Sequence, residues 1–236
     1  RNADQIQLYK LVCRQVANKM GMTASFLTKP IMGMNGSGMH TNFSLSKAGK
    51  NIFYDKSGEE NLSKVAWDFI SRLLNHAPEL CLIINSSVNA YRRLDPHFEA
   101  PNQIKVSSFD RGSMVRIPAG NEKSARIEVR SVAPDTNPYL WLYTMLKVGM
   151  TGKDLAKGVK RQEQPRFLPG TITEALRLFK ESEFIGKVLG EVNKEKFASY
   201  KELAAGRSPR ELGTKVKGSE VIYHHEVTNQ ELWNSF

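Results

Sequence analysis

The sequence predicts an α+β fold in which an antiparallel sheet is flanked by helices and a helical part completes the chain. Three observations support this prediction. Strand-like segments with alternating apolar and polar residues cluster between positions 23 and 132. Segments with apolar residues at helical spacing lie before, between and after them. Beyond residue 150 the chain is more polar and its apolar residues fall in short helical patterns.

The first part of the chain contains helical and strand-like segments in alternation. They are, in order, a helix over 3–20, a strand over 23–31, a Gly-rich turn over 33–38, a strand over 39–45 with a return strand over 51–54, and a helix over 62–77. Gly21 stands where a helix cap is expected. Pro78 is expected to end or kink the second helix, because proline lacks the N–H that continues a helix.

The second part is predicted to contain a long loop, further strands and several helices. They are, in order, a polar loop over 85–102, strands over 103–109, 114–118 and 125–132, a helix over 137–149, and short helices over 171–179, 184–189 and 197–203. Thr171 followed by Glu174 is a capping box that marks a helix start. We predict one domain over 1–236, with the functional strands in 3–150 and a mostly helical part in 150–236.

Composition restricts the class of protein. The 236 residues are 40% hydrophobic and 25% charged, which is typical of a globular protein, and no apolar run approaches the ~20 residues of a membrane helix. The net charge of +10 favours an anionic partner, but the basic residues are spread and no nucleic-acid-reading motif is present. Neither a nucleic acid nor a membrane is therefore predicted as a partner. Cys13 and Cys81 are predicted to be buried, reduced thiols, which fits the cytoplasm.

The first motif is the segment Asn35–Ser44. Gly36 and Gly38 allow the backbone to approach a ligand closely, although an ordinary hairpin turn would use the same residues. On the strand that follows, alternation places His40, Asn42 and Ser44 on one face. Met39, Thr41, Phe43 and Leu45 then face a core. An imidazole, an amide and a hydroxyl in a row suit a metal ion and phosphate oxygens.

The second motif is the strand that carries Arg126, Glu128 and Arg130 on one face. An exposed ladder of salt bridges is one interpretation. The other is a carboxylate metal ligand between two arginines that hold phosphate or carboxylate groups.

Two further segments are candidates for a site that binds anions. Arg111 and Arg116 would lie on opposite faces of a regular strand, and a turn at Gly112 could bring them together. The loop 89–101 has charges of both signs and two prolines, so it either covers an active site or is a surface loop.

These segments in this order resemble the glutamine synthetase family, and most closely its bacterial type. The resemblance is carried by KPIMGMNGSGMHTNFSL, NAYRRLDPHFEAP, SFDRGSMVRIPA and SARIEVRSVAPDTNPYL. It covers residues 3–150 well and 171–236 more loosely. It implies a curved antiparallel sheet and the ATP-dependent ligation of ammonia to glutamate through a γ-glutamyl phosphate, with Mg²⁺ or Mn²⁺ bridging the phosphates.

The resemblance also implies roles for individual residues. His40 and Glu128 would be metal ligands. Glutamate would be contacted by Asn35, Gly36, His40, Arg93, Glu99 and Arg130. The catalytic residues would be Glu99, which shields the intermediate, Arg111, which stabilises phosphoryl transfer, and Arg130, near the γ-carboxylate. The ATP side would be formed by Asn42, Ser44, Arg111, Arg116, Lys123 and Arg126.

Some features depart from the family pattern or are not covered by the chain. Asp95 and Asp110 add negative charge beside arginines, which puts substrate affinity in doubt. The chain begins at Arg1 without a Met, so we expect it to begin inside a longer protein, with further metal-ligand glutamates and an N-terminal domain upstream. We expect a homo-oligomer, a two-ring dodecamer for a full-length member, and no biosynthetic activity from the isolated chain.

Other functions are open at this point. A related ligase could join glutamate to a larger amine, and a catalytically silent relative could act in regulation, although His40, Glu128 and Arg111 are all present. A nucleic-acid-binding module is a further class, which predicts steeply salt-dependent binding. The run 224–226, His-His-Glu, is interpreted as a surface segment rather than a zinc site.

Overall fold

A computed structural model of the chain describes residues 1–31, 34–94, 100–154 and 166–206. Its helices are α1 Asn2–Lys19, α2 Lys64–Asn75, α3 Ala77–Ile84, α4 Val88–Arg93, α5 Pro138–Thr151, α6 Ile172–Glu181, α7 Glu183–Leu189 and α8 Glu191–Ala205. Its strands are β1 Thr41–Phe43, β2 Ser46–Lys47, β3 Lys50–Asn51, β4 Gln103–Ser107, β5 Ser113–Arg116 and β6 Ile127–Val129. The predicted α+β class is confirmed.

The central sheet is mixed rather than wholly antiparallel, and its strand order is β1-β6-β5-β4. Strand β6 pairs antiparallel with β1 and with β5, as predicted. Strand β4 lies parallel to β5, so the prediction of antiparallel pairing was wrong for these two strands. Short links usually join antiparallel strands. Here the five residues 108–112 can span up to about 17 Å, enough to return along β4 at roughly 3.3 Å per residue.

The hairpin β2–β3 leads the chain away from β1. Its strands pair Ser46 with Asn51 and Lys47 with Lys50, so the return strand lies slightly earlier than the predicted 51–54. Ala48 and Gly49 both have positive φ, 50° and 77°, which is the backbone of a tight two-residue turn.

Aromatic side chains fix the back of the sheet to the helices. Phe43 of β1 stacks on Phe69 of α2 with ring centroids 5.1 Å apart. Trp141 of α5 is wholly buried, and its Nε1 donates to Oγ1 of Thr41 at 2.9 Å. Since the apolar side of β1 is held against α2 and α5, its polar side is turned away from the core.

Two segments differ from the sequence prediction. Residues 23–31 form no strand, and their polar backbone groups bond instead to partners such as the Asn89 amide. The predicted loop 85–102 contains the helix α4, because Ser87 caps its start by accepting a hydrogen bond from the N–H of Ala90 at 3.2 Å.

The predicted helix ends are formed in the structure, but only one of the two cysteines is buried. Pro78 does end the second helix, and it lies in the first turn of α3. Thr171 caps α6 by accepting from the N–H of Glu174 at 3.2 Å. Cys81 is buried, whereas Cys13 is only half-buried because much of α1 faces outward, so the burial prediction was wrong for Cys13. Within the described ranges, no helix has both the length and the apolar character needed to cross a membrane.

Candidate active site

The polar face predicted for the strand 39–45 is formed in the structure. His40, Asn42 and Ser44 are exposed, while Thr41 and Phe43 between them are half-buried. This alternation follows from the two-residue period of a strand whose other face packs on α2 and α5.

The register of the sheet brings the two predicted motifs side by side. Asn42 of β1 lies opposite Glu128 of β6, and Arg116 of β5 lies on the other side of Glu128. Facing residues on neighbouring strands have Cβ atoms about 4.5–5.5 Å apart. Glu128 is therefore at the centre of a three-strand polar face.

The carboxylate of Glu128 binds three side chains. Its Oε1 lies 2.8 Å from Nδ1 of His40 and 3.2 Å from Nη1 of Arg130. Its Oε2 accepts from Nη1 of Arg116 at 2.9 Å. Glu128 is only 6% exposed, and Arg130 is also largely buried, whereas Arg116 and His40 reach solvent. We call these four residues the Glu128 cluster.

The Glu128 cluster carries excess positive charge, with two guanidinium groups against one carboxylate. Burial, followed by the nearby Arg130 guanidinium, lowers the pKa of His40. The imidazole is therefore neutral at neutral pH, the state in which a histidine nitrogen can bind a metal. Nδ1 of this neutral imidazole donates to the carboxylate at 2.8 Å, and a divalent ion could replace that hydrogen bond and contact both side chains.

Arg93 lies beside the Gly-rich segment 34–38. Its Nη2 donates to the carbonyl of Arg130 at 2.9 Å, and burial lowers its pKa to about 10, so it remains a cation at neutral pH. A Cβ at Gly38 would collide with the Arg93 guanidinium, and one at Gly36 would collide with the carbonyl oxygen of Thr28 and lie 3.2 Å from Cγ of Arg93. These glycines therefore let Arg93 lie directly against the segment. Their φ angles are not positive, so close approach is what requires glycine here.

The outer part of the polar face holds the remaining predicted ATP-side residues. Nε of Arg126 donates to Oδ1 of Asn42 at 3.0 Å, which confirms that the two share a face. Ser44 and Lys123 are exposed, and the N–H of Lys123 donates to Oδ1 of Asn121 within a tight turn. The strands thus place an amide and a guanidinium beside the Glu128 cluster, at the solvent edge.

Arg111 lies in the turn between β4 and β5 and is exposed. The preceding Asp110 pairs with Lys105 at 2.5 Å and accepts from the N–H of Gly112 at 2.7 Å. The Lys105 hydrogen bond is the main cause that lowers the pKa of Asp110. The charge of Asp110 is therefore matched by Lys105, and its carboxylate shapes the turn that presents Arg111.

Several predicted features lie outside the described residues. These are Glu99, Asp95 and the run 224–226. In the described part, no group of three or more histidine, cysteine, aspartate or glutamate side chains could hold a metal ion. In this part of the chain, His40 and Glu128 are thus a pair of candidate ligands.

Two buried residues near the site, Lys29 and Asn89, are not among the residues predicted from the sequence. The Asn89 side chain binds the backbone of Lys29, and the Lys29 ammonium donates to the carbonyl of Met34. The available signal was spacing, since Asn89 and Arg93 are four residues apart and share a face of a helix. It was missed because 85–102 was assigned to a loop.

Comparisons with known proteins identify the family of this chain. A family model described as the glutamine synthetase catalytic domain matches residues 1–208. The chain is 40% identical over 204 residues to a glutamine synthetase of Thermus thermophilus, covering 80% of the chain and 46% of the relative. It is 39% identical over 204 residues to one of Methanosarcina mazei, with the same coverage.

A glutamine synthetase of Staphylococcus aureus is 37% identical over 215 residues, which covers 85% of the chain and 48% of the relative. The chain thus spans about half the length of the curated relatives it matches. Because the family model covers most of the sequence, the chain belongs to the glutamine synthetase catalytic-domain family.

Proposed function

We propose that this chain provides the metal, phosphate and glutamate-carboxylate side of an ATP-dependent glutamate–ammonia ligase. The observation that carries the proposal is the Glu128 cluster, in which one buried carboxylate joins a neutral imidazole and two guanidinium groups. In this reaction ATP phosphorylates the γ-carboxylate of glutamate, and ammonia displaces phosphate from the acyl phosphate. Several anions meet in one place, so the site needs cations held ready before the reaction.

His40 and Glu128 would hold the divalent ion. The two side chains are hydrogen-bonded at 2.8 Å, so one ion in place of that bond could contact both, and the lowered pKa of His40 keeps the imidazole neutral; both residues therefore fit Mg²⁺ or Mn²⁺. When bound, the ion would neutralise charge that develops on the phosphate oxygens.

Glutamate would be held between the Gly-rich segment and β6. Arg93 would bind one carboxylate beside Asn35 and Gly36, and Arg130 would face the γ end. Nε of Arg130 is buried and makes no hydrogen bond to any described residue, so a carboxylate oxygen would satisfy it. Two arginines fixed by carbonyl or carboxylate contacts can bind their ligand without further ordering.

The ATP phosphates would lie along the solvent edge of the polar face. Arg116 and Arg126 both lie on this face and reach solvent. Asn42, Ser44 and Lys123 would add polar contacts. Arg111, on its exposed turn, would approach the transferring phosphoryl group, where a planar guanidinium matches the equatorial oxygens.

Other parts of the site belong to the same proposal. Because the described residues supply two candidate metal ligands, we propose that further carboxylate ligands complete the metal site. Glu99 would shield the acyl phosphate and help to take a proton from bound ammonium. Assembly as a homo-oligomer, a cytoplasmic location and the absence of a nucleic-acid partner are also proposals.

The test is the product formed by the full-length natural protein. We expect ¹⁵N-glutamine, ADP and phosphate in equal amounts from ATP, Mg²⁺, glutamate and ¹⁵N-ammonium. Arg130→Gln should abolish this product, while the matched surface variant Arg177→Gln should leave it unchanged, because Arg177 pairs with Glu181 on the exposed face of α6. If the protein formed a γ-glutamyl amide with ethylamine but no glutamine from ammonium, its acceptor would be an amine rather than ammonia. ATP hydrolysis that is independent of glutamate would contradict the proposal.

A further inference from the structure

The backbone of Lys29 is held by the side chain of Asn89, sixty residues away in the sequence. The N–H of Lys29 donates to Oδ1 of Asn89 at 2.6 Å, and the carbonyl of Lys29 accepts from Nδ2 of Asn89 at 2.7 Å. Both residues are buried, at 5% and 7% exposure. An amide that satisfies both backbone polar groups of one residue fixes the position and the direction of the chain there, as a neighbouring strand would.

The same short stretch holds the Gly-rich segment. The ammonium of Lys29 donates to the carbonyl of Met34. The carbonyl of Thr28 accepts from the N–H of Ser37 at 2.8 Å. Residues 28 and 29 therefore contact the segment near both of its ends, and Asn35 and Gly36 lie between these two contacts.

Two side chains of helix α4 hold the Gly-rich segment in place. Asn89 and Arg93 are four residues apart, so they lie on the same face of the helix. Arg93 lies against Gly38 directly, while Asn89 reaches the segment through Lys29. The position of the segment relative to the Arg93 guanidinium is thus set by a closed loop of contacts.

We propose that Asn89 and Lys29 are positioning residues that set the spacing between the Gly-rich segment and Arg93, and through it the affinity for glutamate. The inference rests on the proposed function, in which Asn35, Gly36 and Arg93 contact that substrate. Asn89 and Lys29 are buried behind the segment and act through it. The proposed ATP side lies on other elements, β1, β5 and β6, so we expect the pair to affect glutamate more than ATP.

The kinetic test uses Asn89→Ala and Lys29→Met in the full-length natural protein. We expect each variant to raise the KM for glutamate by about tenfold, the effect of losing one or two buried hydrogen bonds, with the KM for ATP within about twofold of wild type. The double variant should be no worse than the poorer single variant, since the two residues act in series. Ser182→Ala is the matched control, because it removes a buried cap from α7 far from the segment.

A second readout follows the backbone directly. Asn89→Ala should speed amide hydrogen exchange at Lys29 and Ser37, while exchange in α6 and α8 stays as in wild type. Lys29→Met keeps both backbone hydrogen bonds to Asn89 and should speed exchange only in 34–38. This variant is therefore the one to measure if Asn89→Ala does not fold.

The outcomes separate this inference from the proposed function. A wild-type protein that makes no glutamine contradicts the proposed function, and the exchange data still decide whether the pair positions the segment. Faster exchange in 34–38 with an unchanged glutamate KM overturns the link to substrate affinity. Unchanged exchange overturns the positioning role itself. Equal increases in the KM of glutamate and ATP, matched by Ser182→Ala, would show a general loss of stability instead.

Discussion

Glu128→Gln is the most informative single change, because it keeps the shape of the side chain and removes its charge. The native carboxylate accepts from Arg130 at 3.2 Å and from Arg116 at 2.9 Å, and it lies 2.8 Å from Nδ1 of His40. Glutamine has one acceptor oxygen and a donor NH₂ group. At least one of the three neighbours would then face a donor, and both guanidinium groups would lose their counterion.

The expected cost follows from the burial of each partner. Removing one member of a buried ion pair costs about 3–5 kcal/mol, and this applies most nearly to Arg130, whose side chain is 12% exposed. Arg116 is 37% exposed, so solvent screening reduces its share to about 0–1 kcal/mol. Because glutamine keeps one acceptor, we expect Glu128→Gln to lower the free energy of unfolding by roughly 2–4 kcal/mol. For a chain of this size, that corresponds to a decrease of about 4–16 °C in Tm.

The assay is urea unfolding of the 236-residue chain, followed by circular dichroism and by tryptophan fluorescence. Glu181→Gln is the matched control, because Glu181 pairs with Arg177 at 2.8 Å on an exposed helix face. That change should cost no more than about 0.5 kcal/mol. If Glu128→Gln were as stable as the control, the Glu128 carboxylate would not be the centre of an ion-pair network, and the account of the site would be refuted.

Three further predictions concern the body of the fold. Gly149→Ala should destabilise the chain by about 1–3 kcal/mol in urea, because its Cβ would collide with the Phe69 ring, and a loss below about 0.5 kcal/mol would contradict the tight α2–α5 packing. Burial raises the pKa of Cys81 to about 12, so at pH 8 only Cys13 should react rapidly with a thiol reagent in the folded chain; two fast thiols would show that Cys81 is accessible. Thr171→Ala should cost about 1 kcal/mol by removing the cap of α6, and unchanged thermal unfolding would show that the cap contributes nothing.

The strand faces of the site were predictable because they depend only on the two-residue period of a strand. The alternation over 39–45 predicted that His40 and Asn42 share a face, and the same rule placed Arg126 and Glu128 together. The pairing of Asn42 with Glu128 is a matter of register between strands about 86 residues apart, which no local pattern encodes. The contact between His40 and Glu128 therefore needed the structure.

The sequence did not predict the features that depend on a very short element or on contacts between segments far apart in the chain. Helix α4 has only six residues, too few for its helical pattern to stand out from a polar loop. The contact of Arg93 with Gly38 and the bonds of Asn89 to Lys29 join separate segments of the chain. The parallel pairing of β4 with β5 was missed because a five-residue link is typical of antiparallel strands.

Anomalous diffraction is the most direct test of whether His40 and Glu128 hold one divalent ion beside the two arginines. Crystals of the full-length natural protein soaked in Mn²⁺ and ADP would be measured at the manganese absorption edge. We expect an anomalous peak within bonding distance of a ring nitrogen of His40 and of the Glu128 carboxylate, with ADP phosphate oxygens facing Arg116. A peak elsewhere in the molecule, with His40 still bonded to Glu128, would contradict it.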